Sequence, residues 1–142
     1  MRVLGLDIGA ERVGVAVSDP AGSVASPVTV LDARRLAGDA TAFVRLLEDY
    51  EPELLVVGMP MTLAGEHGPQ AEAVRTVAER LGHVAGVPVE YWDERLSSAE
   101  ARRVMRESGL NDREQRGSVD KVAAAIVLQG WLDARRAVRE GR

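Results

Sequence analysis

The chain has 142 residues, 46% of them apolar and 28% charged, enough apolar content for one domain to bury a core without metal or disulfide support. It contains no cysteine, which excludes thiolate zinc sites, a thiol nucleophile and a disulfide framework. The net charge of -4 is unevenly divided: residues 1–94 hold 7 Arg against 15 acids, a balance of -8, and residues 95–142 hold 10 Arg and Lys121 against 7 acids, a balance of +4.

A basic C-terminal third can attract a polyanion even in an acidic protein, although a solvated helical surface accounts for the same charge. No basic-then-apolar leader opens the chain and no apolar run approaches the roughly 20 residues of a membrane span. A soluble, cytoplasmic protein is the expectation.

Residues 2–8 read as a buried strand interrupted by one carboxylate, Asp7, and Gly9-Ala10-Glu11 as a tight turn. Residues 12–18 alternate like a second strand, and Gly22, Ser23 and Pro27 lead into a third over Val28 to Leu31, so the chain opens as a meander. Leu36, Ala40, Phe43, Val44 and Leu47 then take helical spacing on one apolar face until Pro52. Glu53 to Met59 holds a short apolar strand of the kind buried in a parallel sheet. The loop from Pro60 to Pro69 leads to a helix carrying Ala71, Val74, Ala78 and Leu81, and Val87 to Trp92 forms a fifth strand. Two helices follow, over about 97–108 and 118–138, separated by the polar segment Gly109 to Gly117. This order predicts one α/β domain over residues 1–142, with a mixed five-stranded sheet and helices on both faces.

In such sheets sites form where strands end, which directs attention to carboxylates. Asp7 closes the first strand, Asp93 and Glu94 the fifth, and Asp120 follows the expected helix cap Ser118. Three carboxylates brought together make a hard-oxygen cage for Mg²⁺ or Mn²⁺, and a pair of such ions serves phosphodiester hydrolysis. Each residue also has an ordinary reading. Asp7 could bond into the Gly9 turn, and Asp120 could complement a helix dipole. Asp93 and Glu94 point to opposite faces if the strand continues, so at most one of them is expected in a shared site, the other being free to cap the next helix or pair with Arg95. The residues alone leave that choice open. Arg12 and Arg95 suit phosphate or balance nearby acids. His67 is a loop histidine able to act as a base or merely to be solvated, the segment Gly58 to Pro69 is either a substrate gate or a plain connection, and His83 reads as a helix C-terminal dipole partner. Trp92 and Trp131 read as core or partner contacts.

At these residues the chain resembles the YqgF family, also called RuvX, of Holliday-junction-resolvase-like nucleases that process the 5′ end of 16S ribosomal RNA precursors. The resemblance rests on Gly5-Leu-Asp7-Ile-Gly9 with Arg12-Val-Gly-Val-Ala-Val-Ser-Asp19, on Val57-Gly-Met-Pro60 with Gly68-Pro-Gln70-Ala71, on Asp93-Glu-Arg-Leu-Ser-Ser98, and on Asp120-Lys121-Val-Ala-Ala124. It covers nearly the whole chain and implies a ribonuclease H-like fold in which Asp7, Glu94 and Asp120 are catalytic and bind the metal. It thereby favours Glu94 over Asp93. Arg12, Arg95, Gln70 and Lys121, from the same motifs, are the candidate substrate contacts. The departures are Ser97 and Ser98, where threonines are common, and Ala64, where an acid is frequent.

The leading expectation is therefore a metal-dependent nuclease acting on structured RNA, with pre-16S rRNA first, branched DNA second, and a homodimer among its assemblies. Two readings from other classes compete. An actin or sugar-kinase-like nucleotide-binding domain shares the Asp-x-Gly turn of Asp7-Ile-Gly9, but needs a second domain for which 142 residues leave no room. A catalytically silent RNA-binding or ribosome-assembly factor on the same fold would also keep the carboxylates.

Overall fold

The computed structural model describes residues 1–60, 68–96 and 112–141, with 112–118 described as backbone. Strands β1 (Val3–Ile8), β2 (Arg12–Ser18) and β3 (Ala25–Asp32) form the expected meander. Helices α1 (Ala33–Gly38) and α2 (Thr41–Tyr50) precede β4 (Leu54–Met59), and α3 (Pro69–Ala85) precedes β5 (Val89–Asp93). A 3-10 turn over Glu94–Leu96 leaves β5, and helix α4 spans Asp112–Arg139. The sheet order is β3-β2-β1-β4-β5, with β1, β4 and β5 parallel and the meander antiparallel. The helix expected at 97–108, the loop residues Met61–His67 and the residues Ser97 and Ser98 lie outside the described residues.

Alternation along the strands splits the core into two layers. Leu4, Leu6 and Ile8 of β1, with Val13, Val15, Val17, Leu55, Val57 and Met59, are buried against Leu36, Phe43, Leu46, Val74, Ala78 and Leu81 of α1, α2 and α3. On the opposite face Val3, Ala16, Leu54 and Val56 meet Ala124, Val127, Leu128, Trp131 and Leu132 of α4. Cover on both faces is why β1 and β4 read as continuous apolar runs.

Helix α4 lies unusually close to the sheet because glycines lie beneath it. A Cβ on Gly5 would sit 2.7 Å from Leu128 Cβ, and one on Gly14 would sit 1.9 Å from the backbone oxygen of Asp120. Neither position tolerates a side chain unless the helix moves.

Three expectations are corrected. The apolar spacing from Leu36 to Leu47 belongs to two helices, because Asp39 ends α1 and its carboxylate accepts from the backbone N–H and hydroxyl of Thr41. That local bond competes with helix continuation, and Val44, expected on the apolar face, is exposed. Strand β3 begins at Ala25 rather than Val28, since its pairing with β2 runs back to Ser18. Most consequentially, α4 begins at Asp112, so Ser118 does not cap it and Asp120 lies more than two turns inside the helix. Arg113 to Arg116 are good helix formers, and Gly117 costs only about 1 kcal/mol, too little to stop a helix that packing supports.

The contact at Gly14 gives a direct test. Gly14→Ala is expected to lower stability by about 1–3 kcal/mol through overpacking, read as a lower urea midpoint. Gly38→Ala, whose Cβ would meet nothing within 4 Å, should leave the midpoint unchanged or slightly raised.

Candidate active site

Asp7 is the next-to-last residue of β1 and points to the α4 face. Across the antiparallel ladder it pairs with Gly14, and Gly14 is the residue that admits the Asp120 backbone. Asp120 is thus set beside Asp7 by backbone contact rather than by a helix terminus. Glu94 arrives from the other side. Its carboxylate lies over Gly58, where a Cβ would come within 2.9 Å of Glu94 Oε1, and Gly58 follows Val57, the β4 partner of Leu6. Two glycines therefore make the room in which three carboxylates from distant parts of the chain converge.

Their electrostatics reflect that crowding. Burial raises the Asp7 carboxyl from its ordinary 3.8 to about 7, and a hydrogen bond with Glu94 and the negative charges of Glu94 and Asp120 push it the same way. The Gly9 backbone N–H goes to the Arg12 carbonyl at 2.8 Å, while the Asp7 side chain is engaged with Glu94. Asp120 Oδ2 accepts from Arg12 Nε at 2.7 Å. Among the described residues no three carboxylate or histidine side chains close a ligand set around an ion. The donor set nevertheless fits a hard divalent cation, because it is all carboxylate oxygen and the crowding that raises the Asp7 carboxyl is negative charge a cation would offset.

Asp93 and Glu94 separate because β5 ends at Asp93. Asp93 Oδ1 accepts from the Arg95 backbone N–H at 2.9 Å, and its carboxylate holds the Arg95 guanidinium, with Oδ2 2.6 Å from Nη2. This pairing holds the Asp93 carboxyl below the usual carboxylate range. Arg95 is therefore engaged with Asp93, the acid-balancing alternative of the two expected for it. Gln70 is exposed at the start of α3, and Lys121 is half-buried beside Asp120. His83 lies in the last turn of α3, as expected for a dipole partner, and His67 lies outside the described residues. Trp131 is buried with its indole N–H on Glu90 at 2.7 Å, and Trp92 packs against the same cluster. Gly58, expected to open the segment running to Pro69, lies inside β4, and Gly14 carried no expected part in the site. The available signal was a glycine at a strand position facing a helix, where close backbone approach is the usual cause.

The family model described as "RuvX: Holliday junction resolvase" matches residues 1–134. The chain belongs to the RuvX family. Among relatives named "Putative pre-16S rRNA nuclease", one from Anaeromyxobacter sp. (strain K) is 49% identical over 135 residues, covering 95% of this chain and 98% of that one. Another, from Moorella thermoacetica, is 47% identical over 133 residues, covering 94% and 95%. Of solved structures, Thermus thermophilus RuvC superimposes with a TM-score of 0.63 at 20% identity, covering 96% of this chain and 97% of that one. The yeast mitochondrial Holliday junction resolvase gives 0.59 at 10% identity, covering 97% and 80%. These likenesses establish the fold as ribonuclease H-like. Among the described residues no helix of this RuvX member is long and apolar enough to cross a membrane.

The raised Asp7 carboxyl makes metal-free stability fall with pH. Below 3.8 both states hold the proton; between 3.8 and about 7 the unfolded chain releases it while the folded protein keeps it, so stability is lost across that window. Asp7→Asn should flatten the decline and stabilise the metal-free protein above pH 7 by about 1–2 kcal/mol, after discounting for partial exposure. Denaturant midpoints measured in chelator from pH 4 to 8 check this, and equal slopes for both proteins would refute it.

Proposed function

We propose that this RuvX-family chain is a divalent-metal-dependent nuclease that hydrolyses phosphodiester bonds in structured nucleic acid, with the 5′ region of the 16S rRNA precursor as its principal substrate. The observation that carries the reading is the convergence of Asp7, Glu94 and Asp120 at the ends of β1 and β5 and on α4, with Asp7 raised to about 7 by burial and by the other two. Carboxylates crowded into mutual repulsion at strand ends are costly to the fold and useful to a cation. The relatives' name supports the ribosomal RNA substrate. The RuvC likeness supports the fold on which branched DNA is a secondary candidate.

In this reading Asp7, Glu94 and Asp120 hold Mg²⁺ or Mn²⁺. An ion held by these three residues would supply activation of a water and charge stabilisation at the departing oxygen. Asp7 enters the working state only after losing its proton, so its raised carboxyl ties ion binding to proton release. Arg12, half-exposed at the start of β2, is placed to meet substrate phosphate beside the carboxylates. No protein nucleophile is required. Action in the cytoplasm and assembly as a homodimer belong to the same reading. A catalytically silent assembly factor would have no use for a deprotonation that destabilises the fold.

Cleavage of a 16S precursor fragment and of a four-way DNA junction tests the reading. Wild type should cut with Mg²⁺ or Mn²⁺ and not in chelator, and Asp7→Asn, Glu94→Gln and Asp120→Asn should each lower the rate at least about 100-fold, the scale of losing a metal ligand's contribution. Undiminished cutting by Asp7→Asn would overturn it.

A further inference from the structure

The Arg12 side chain bonds, among the described residues, to one group: the Asp120 carboxylate, at 2.7 Å. The pair joins the first residue of β2 to α4 across the mouth of the site. It is solvent-accessible, with 48% of the Arg12 side chain and 24% of the Asp120 side chain exposed. Arg12 also lines an open groove of about 540 Å³ with Glu11, Val30, Leu31, Asp32 and Arg34. The Arg12 guanidinium therefore stands between a carboxylate of the candidate metal set and an open groove in which the charges of Arg12 and Arg34 are set beside those of Glu11 and Asp32. Arg34 stands in that groove with no ion pair among the described residues, and offers a second cation to a phosphate chain.

We propose that Arg12 is a positioning residue that couples nucleic-acid binding to metal binding: without substrate it neutralises Asp120, and a substrate phosphate in the groove draws it away, releasing Asp120 to join Asp7 and Glu94. The inference rests on the nuclease reading and adds an order to it. The guanidinium is a stand-in cation for Asp120, which accounts for a set of three carboxylates that is assembled but not closed. A half-exposed pair is cheap enough to exchange, since solvent screens it and its side chains lose freedom in forming it, and Arg matches phosphate as well as it matches carboxylate. By reciprocity, a substrate that removes Arg12 from Asp120 strengthens metal binding by the same factor by which metal strengthens substrate binding.

The test uses the intact protein and two equilibrium measurements with Arg12→Ala, and with Arg12→Gln as the variant that keeps a polar stem. Calorimetric titration with Mn²⁺ in the absence of nucleic acid should show both variants binding about two- to fivefold tighter than wild type, the range set by an exposed ion pair. That gain should vanish when Asp120→Asn is combined with them. Fluorescence binding of a labelled four-way DNA junction and of a 16S precursor fragment in chelator should be weaker for both variants, with the salt slope reduced by about 1. A structural role for Arg12 would weaken both affinities together, and unchanged or weaker Mn²⁺ binding overturns the proposal. If wild type binds neither nucleic acid, the nuclease reading fails, while the Mn²⁺ arm still decides whether Arg12 competes for Asp120.

Discussion

Everything at the candidate site follows from how closely α4 can lie on the sheet. The Asp120 backbone occupies the space that a side chain at position 14 would fill, and Gly14 is the cross-strand partner of Asp7. The same contact thus sets the helix depth and the distance between two acids. Gly5 repeats the contact against Leu128 more than two turns further along, so the helix is held at two places rather than pivoting on one. Packing at this density leaves no freedom for gradual adjustment.

Against that fixed frame the electrostatics are unfavourable by construction. β1 is buried on both faces, and a carboxylate near its end is placed under a helix and beside a second carboxylate. The fold tolerates this through a proton at Asp7 and a guanidinium at Asp120. Both are positive charges that a divalent cation can replace. The carboxylates' repulsion is therefore a cost to the fold, and the hydrophobic layers on both faces of the sheet offset it.

The parts of this that sequence discloses are those governed by short-range pattern. The apolar runs of β1 and β4, the Pro69 start of α3 and the turn between β1 and β2 are local matters, and they fall where spacing places them. The break at Asp39 is local too, but it depends on one side chain preferring the Thr41 backbone over a continuing helix, and the apolar spacing runs straight across it. The early start of α4 escaped because Gly117 and its charged neighbours resemble a loop, and a long helix fixed by its packing ignores one poor residue. At the site, Asp7 was legible as a costly charge in a strand. Choosing between Asp93 and Glu94 was not, because it turns on where β5 stops and a 3-10 turn begins, a boundary of one residue. The resemblance to relatives supplied the choice that spacing could not.

The two core layers also have different fates when the protein breathes. The layer of α1, α2 and α3 can loosen without touching a carboxylate, because Leu36, Phe43 and Leu81 pack on the sheet face opposite Asp7. Partial detachment of α4 removes Asp120, unroofs β1 and exposes Val3 and Val56 at once. Assembly of the candidate site is therefore tied to a single unit of local unfolding, so the amide exchange of α4, rather than the global melting of the chain, is the natural gauge of how long the three carboxylates stay together.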